Sequence, residues 1–253
     1  MSKSPLIWFQ HFHKAGGSSF VTAARESGRK LFMPNRNGNP VADDGNYLPL
    51  WAWKESELRA WLQLQAGSGV NFIACEWGFP PDLLAIRSSD LYLFTIVRHP
   101  VERLLSNFYY DVLNGYTHVR DIDAYMELDP DYTKPDYYTR LLTGYSGKEA
   151  TREAAAILRQ FDTVAVLEAP ASFKPMEAMV PGIRNFHANL TPRHHQELID
   201  LVSTTERKRP ALEIAAKREI ALYEAISNGD KAAHWLSLVR ESAKAMLRRA
   251  RGR

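Results

Sequence analysis

Cysteine is nearly absent from the chain: Cys75 stands alone among 253 residues, which excludes an internal disulfide and suits a reducing compartment. Long hydrophobic runs are missing as well. The apolar part of MSKSPLIWF is too short for a signal peptide, and polar or charged residues interrupt every later run before it reaches membrane-spanning length. A cytoplasmic protein without stable membrane insertion is therefore expected. Nor is there a strong excess of one charge. The formal net charge is +3, and Arg248, Arg249, Arg251 and Arg253 account for much of it, so a broad nucleic-acid-binding face is not expected. Metal-ligand spacing is lacking too: the adjacent His194 and His195 face different directions in a helix start, and no metal is expected.

What is present is enough apolar material, 45% of residues, for one sizeable core, and a single domain over residues 1–253 is expected, with a basic tail over 244–253. Leu6 to Phe12 reads as a buried strand that runs into glycines, after which Ser18 or Ser19 is placed to cap a helix. Leu31 to Pro49 has no apolar periodicity and reads as an irregular surface excursion. Ser56 is placed to cap a helix, and Val70 to Glu76 reads as a second strand. LYLFTIV, Leu91 to Val97, is unbroken and rich in β-formers, as in a central parallel strand covered on both faces. Pro100 then suits the first turn of a helix that Gly115 can end, and a short helix is expected from Ile122 to Met126. Thr151 opens a further helix, Thr163 to Leu167 forms a strand, and from Pro192 onward the chain reads as mostly helical, with Gly229 between two long helices. Strands alternating with helices predict an α/β domain with a P-loop-like parallel sheet flanked by helices and a helical C-terminal part.

Two strand ends carry the chemistry. HFHKAGGSS places a lysine and two glycines where a strand hands over to a helix, an arrangement of backbone N–H groups and one cation that suits a phosphate. It lacks the leading glycine of the Walker loop, and its lysine precedes the glycines. TIVRHPVERLLSNFYY sets Arg98 at the mouth of a buried strand, where a guanidinium fork matches phosphate, and Ser106 in the following helix. The bland alternative pairs Arg98 with Glu102 and leaves Ser106 as packing. Two anion sites on one sheet suggest a ligand with two separated phosphates.

HFHKAGGSSF followed by FTIVRHPVERLLSNFYY resembles the paired signature segments of the sulfotransferases that use 3′-phosphoadenosine 5′-phosphosulfate, especially the branch containing carbohydrate sulfotransferases. The resemblance implies that Lys14, Ala15, Gly16, Gly17, Ser18 and Ser19 hold the 5′-phosphosulfate, and that Arg98 and Ser106 bind the 3′-phosphate. Weaker similarity in YYTRLLTGYSG implicates Arg140 near nucleotide or acceptor; TVAVLEAPASF and NFHANLTP add little. The family often has proline in place of His13 and threonine in place of Ala15, and many relatives have a histidine where FIACEWGF has Glu76. The implied activity moves a sulfuryl group to a hydroxyl, most simply on a carbohydrate, and releases adenosine 3′,5′-bisphosphate without a metal.

For that reaction Lys14 is placed to neutralise the leaving phosphate, Glu76 is the first candidate general base and His13 the second, while His11 reads as a satisfied histidine at the strand end. A structural carboxylate paired with Lys14 or an arginine is the rival reading of Glu76. Tyr109, Tyr110, Tyr116, Tyr132, Tyr137 and Tyr138 are candidates to line an acceptor cleft, the loop positions above all. Two other functions fit the same anion sites: a nucleotide-dependent kinase with a variant phosphate loop, and a non-catalytic module that binds polyanions.

Overall fold

The computed structural model describes residues 5–88, 90–183 and 198–227. In chain order its elements are β1 (Leu6–Gln10), α1 (Gly17–Glu26), β2 (Asn35–Arg36), β3 (Asn39–Pro40), α2 (Glu55–Gly67), β4 (Phe72–Cys75), β5 (Leu91–Val97), α3 (Pro100–Leu113), α4 (Ile122–Met126), α5 (Tyr137–Thr143), α6 (Lys148–Leu158), β6 (Thr163–Val166), α7 (Lys174–Glu177), α8 (Ile199–Arg207), α9 (Arg209–Ala215) and α10 (Lys217–Ser227). The chain divides into two compact units, one of residues 1–98 and 160–192, the other of residues 99–159 and 193–253.

In the first unit β1, β4, β5 and β6 form a parallel sheet in the order β4-β1-β5-β6. The α/β class with a parallel sheet and a helical C-terminal part is thus as expected. Register brings Phe9 beside Ala74 on one side and Phe94 on the other, and Ile96 beside Ala165. These side chains share one face, which Phe20, Val21 and Ala24 of α1 cover. Phe9, Phe20, Phe72 and Phe94 are fully buried there, and burying each such ring contributes about 1.5–3 kcal/mol. Trp8 and Leu93 fill the opposite face with no exposed surface, so the central strands are covered on both sides and read as continuous apolar runs for that reason.

The order places the chain reversal at β1: one connection leads outward to β4, the next returns across β1 to β5. Connections after β1 and β5 therefore leave in opposite directions along the sheet, and the carboxyl ends of strands at such a reversal are the position where open α/β sheets bind ligands.

Several expected boundaries shift. Gly16, not Ser18 or Ser19, occupies the cap position of α1, and no side chain caps that end. Helix α2 starts one residue before Ser56, with Lys54 at the cap position and its N–H donating to Glu57 Oε2 at 3.0 Å. Helix α6 begins at Lys148, so Thr151 lies a turn inside and donates to the Gly147 carbonyl at 3.0 Å. The excursion from Leu31 to Pro49 holds a short antiparallel hairpin, β2 with β3, stitched to the sheet where Ala74 N–H donates to the Gly38 carbonyl at 3.1 Å. Past residue 197 the described chain folds into three short helices, α8 to α10; Gly229, the basic tail, His194, His195 and NFHANLTP lie outside the described residues.

In the second unit Pro100 occupies the first turn of α3, as its fixed φ favours, and Val101, Leu104, Leu105, Phe108 and Val112 pack with Ile122, Tyr125, Leu201 and Leu212. Arg103 is buried, donates to the carbonyls of Tyr132 and Lys134 at 2.8 Å each, and lies 4.6 Å from the Tyr137 ring centre. Glu219 of α10 caps α5 from outside: its carboxyl accepts from Tyr138 N–H, from Thr139 N–H at 3.1 Å and from Thr139 Oγ1 at 2.7 Å. Burial raises its pKa from 4.5 to about 7, against the pull of Thr139, Arg103 and Tyr138. A carboxyl whose folded pKa is raised stabilises the fold fully below the unfolded value and loses that contribution as pH rises through the folded one. The unit is expected to lose stability, on the order of 3 kcal/mol, between pH 4.5 and about pH 7. Glu219→Gln keeps the acceptor and is expected to flatten that slope in chemical denaturation; an unchanged slope would assign it to another group.

Candidate functional site

The site is built at the ends of β1 and β5. Thr95 Oγ1 donates to the Gln10 carbonyl at 2.7 Å, and Gln10 Nε2 donates to the carbonyls of Cys75 and Gly78 at 2.8 and 3.0 Å, tying the ends of β1 and β4 to the interior of β5. Beyond Gln10 the chain turns sharply. Lys14 has φ of 59° and Gly16 of 87°, both left-handed, and Ala15 N–H donates to the Phe12 carbonyl at 3.2 Å. The lysine is thus held in a conformation that costs an L-residue about 1–2 kcal/mol, which the surrounding contacts must offset.

Helix α1 follows directly, with no acidic residue in its first turn. The N–H groups of Gly17, Ser18 and Ser19 have no acceptor within the helix and lie beside the Lys14 backbone, a helix end whose chemistry suits an anion. Ala15 shapes the turn, its N–H already engaged; Ser19 is buried, and Ser18 Oγ accepts from Asn37 Nδ2 at 3.0 Å.

Gly17 is dictated by its neighbour. A Cβ there would lie 1.9 Å from His11 Cδ2, so only glycine lets the His11 ring sit against the helix start. Gly17→Ala is expected to cost about 1–3 kcal/mol by overpacking and to displace His11; urea denaturation together with the imidazole NMR resonances checks both effects, and an unchanged midpoint would contradict the packing.

Arg98 meets the first loop. Its Nη1 donates to the Lys14 carbonyl at 3.2 Å, and its Nε lies 3.9 Å from Glu168 Oε1. The expected alternative partner, Glu102, instead pairs with Arg209 at 2.8 Å. Lys14 and Arg98 thus come from adjacent strands to one place.

Against this lies a carboxylate between two imidazoles. Glu76, just past β4 and 8% exposed, has Oε1 at 2.7 Å from His13 Nδ1 and Oε2 at 3.4 Å from His11 Nδ1. Asn39 Nδ2 donates to Oε2 at 3.3 Å. Among the described residues, Glu76 is therefore partnered by histidines and an asparagine, not by Lys14 or an arginine. Burial pushes its carboxyl up, but the facing His11 and His13 outweigh that and hold it well below the usual carboxylate range. Such a carboxylate stays ionised and takes up a proton poorly. It fixes the His13 Nδ1 proton and leaves Nε2 as the basic atom of that ring. His11 is buried and stacked on Phe9 at 5.4 Å between ring centres; its Nδ1 faces Glu76 Oε2 at 3.4 Å but makes no hydrogen bond among the described residues, so it is not the satisfied strand-end histidine expected.

Ser106 and Arg140 belong to the second unit. Ser106 is buried on α3, and Arg140 on α5 pairs with Asp136 at 2.7 Å and Asp131 at 3.6 Å, which raise its pKa above the ordinary arginine value against some desolvation. Its guanidinium is committed to protein carboxylates. Arg140 also lines a cavity of about 400 Å³ with Lys134 and Arg218, where Lys134 Nζ donates to the carbonyls of Met126 and Leu128. Of the tyrosines, Tyr109, Tyr137 and Tyr138 are buried and cannot face an acceptor, whereas Tyr116 is 70% exposed. Among the described residues no group of three or more His, Cys, Asp and Glu side chains is placed to hold a metal ion.

Sequence reasoning missed the pairing of Glu76 with His13 and the aromatic neighbours of that pair. Trp77 and Tyr47 sit beside His13, with the Trp77 ring centre 5.5 Å from His13 and 5.4 Å from Tyr47. The FIACEWGF segment that offered Glu76 also offered Trp77; Tyr47 carried no local signal.

Fold and site together define an α/β protein with a strand, loop and helix unit at the reversal point of a parallel sheet, flanked by a histidine held on a buried carboxylate. No model of a known protein family matches the chain, and no curated protein matches it.

Proposed function

We propose that the protein is a sulfotransferase that moves a sulfuryl group from 3′-phosphoadenosine 5′-phosphosulfate to a hydroxyl of a carbohydrate. The observation that carries this reading is the meeting of Lys14 and Arg98, with Arg98 Nη1 3.2 Å from the Lys14 carbonyl, at the reversal point of the sheet. The resemblance of the two strand-end segments to the sulfotransferase signatures supports the identity of the nucleotide.

In this reading the N–H groups of Gly17, Ser18 and Ser19 and the Lys14 ammonium hold the 5′-phosphosulfate, and Arg98 takes the 3′-phosphate. The acceptor oxygen bonds to sulfur in line as the bond from sulfur to the 5′-phosphate oxygen breaks. Lys14 neutralises the charge that collects on the departing phosphate, an effect strongest in a site closed to water. His13 Nε2 takes the hydroxyl proton, and Glu76, bonded to Nδ1, orients the ring and balances the imidazolium that forms. The strongly lowered pKa of Glu76 favours this division of labour over direct proton uptake by the carboxylate.

The test is mass spectrometry of glycans after incubation with the donor in the presence of a chelator. Sulfated product and adenosine 3′,5′-bisphosphate in equal amounts are expected. Consumption of ATP that needs magnesium would replace the reading with a kinase, and binding of polyanions with no product would replace it with a binding module.

A further inference from the structure

We infer that the acceptor is an anionic glycan, a sugar stacked on Trp77 and Tyr47 with its carboxylate or sulfate held by Arg36. This rests on the reading of the site as a sulfotransferase. Trp77 follows Glu76 directly, is 41% exposed and lies against His13 and Tyr47, so its ring is part of an aromatic face rather than a lone exposed side chain. The turn that presents it is fixed: a Cβ at Gly78 would lie 2.4 Å from Trp51 Cγ, and the Gly78 carbonyl accepts from Gln10 Nε2 at 3.0 Å and Cys75 Sγ at 3.2 Å. Trp77 therefore offers a preorganised face beside His13, which lowers the ordering cost of binding.

Tyr47 extends this face at 5.4 Å and carries Arg36 over its ring, with the guanidinium carbon 5.7 Å from the ring centre. Arg36 is exposed on β2, and among the described residues it makes no ion pair; Asp44 of the same excursion is engaged by Asn46 N–H and Nδ2 at 2.9 Å each. The hairpin that bears Arg36 is anchored to the reacting end of the site, since Asn39 Nδ2 donates to Glu76 Oε2 at 3.3 Å. Base, ring platform and guanidinium thus follow one another in the same unit: His13, Trp77, Tyr47, Arg36. Sugar rings stack their C–H faces on aromatics, and the planar guanidinium fork matches a carboxylate or sulfate bidentately. A neutral sugar or simple phenol would use the rings and leave Arg36 without a function.

The experiment is calorimetry without donor, titrating a uronate-containing tetrasaccharide and the same tetrasaccharide with its carboxyls reduced to alcohols. The uronate form is expected to bind about tenfold more tightly. Arg36→Gln is expected to remove that preference and leave the reduced form unaffected, and Trp77→Ala to weaken both by about tenfold or more. Equal affinity for the two tetrasaccharides, or undiminished binding by Trp77→Ala, overturns the inference. Adenosine 3′,5′-bisphosphate titrated into the same samples separates the two claims. If it binds and the tetrasaccharides do not, the anionic acceptor falls and the sulfotransferase reading stands. If the uronate form binds in an Arg36-dependent way and the nucleotide does not, the glycan site stands and the sulfuryl-transfer reading falls.

Discussion

On the proposed sulfotransferase reading, Lys14→Ala is expected to lower the rate of sulfuryl transfer by about a hundred- to a thousandfold, the loss found when one preorganised charge or donor is removed from a developing anion. The backbone of Lys14 is set by its φ of 59°, the left-handed Gly16 after it and the bond from Arg98 to its carbonyl, all of which survive truncation. Alanine bears the same Cβ and meets the same strain, so the loop keeps its shape and the change reports the ammonium. Circular dichroism and denaturation midpoint are expected to match wild type while single-turnover rates fall. Lys14→Arg retains charge and is expected to recover part of the rate. Unimpaired transfer by Lys14→Ala would move the leaving-group cation elsewhere.

Glu76→Gln is the second large effect, a fall in turnover of about a hundred- to ten-thousandfold with little change in nucleotide affinity. The amide can present an N–H to His13 Nδ1, and that favours the tautomer with its proton on Nε2, the atom that must be basic. The amide also cannot balance an imidazolium. Because His11 and His13 hold the Glu76 pKa below its ordinary 4.5 despite burial, the carboxylate stabilises the fold above that pH and the contribution is lost as pH falls below it. Denaturation between pH 7 and pH 3 is therefore expected to show a weaker acid dependence for Glu76→Gln than for wild type. A purely structural role would show the stability change alone; a role in orienting His13 shows a fall in kcat with KM for the donor unchanged. Full turnover by Glu76→Gln would show that the ring needs no carboxylate.

The parts of the fold legible in the sequence are those set by local chemistry. LYLFTIV is a strand from Leu91 to Val97 because a strand buried on both faces needs no polar alternation, Pro100 starts α3 because its φ is already helical, and the short helix expected from Ile122 to Met126 is α4. The start of α1 was misread because serine is the usual cap, whereas the sharp turn after β1 demands a left-handed residue at Gly16. Lys14 and Arg98 of the proposed anion site follow two buried strands that the sequence marks by their apolar runs, β1 and β5. The histidine and carboxylate pair was not legible, since His13 and Glu76 lie on different strand ends and only the β1-to-β4 register brings them together. The same holds for Tyr47, placed beside Trp77 by a hairpin whose anchoring bond, Asn39 to Glu76, is equally non-local.

The most direct measurement is calorimetric titration of adenosine 3′,5′-bisphosphate into the wild-type chain and into Arg98→Ala. Saturable binding by the wild type, at least about tenfold weaker in the variant, is the result predicted for one nucleotide spanning the ends of β1 and β5. No heat of binding in the wild type, or equal affinity in both proteins, would contradict it.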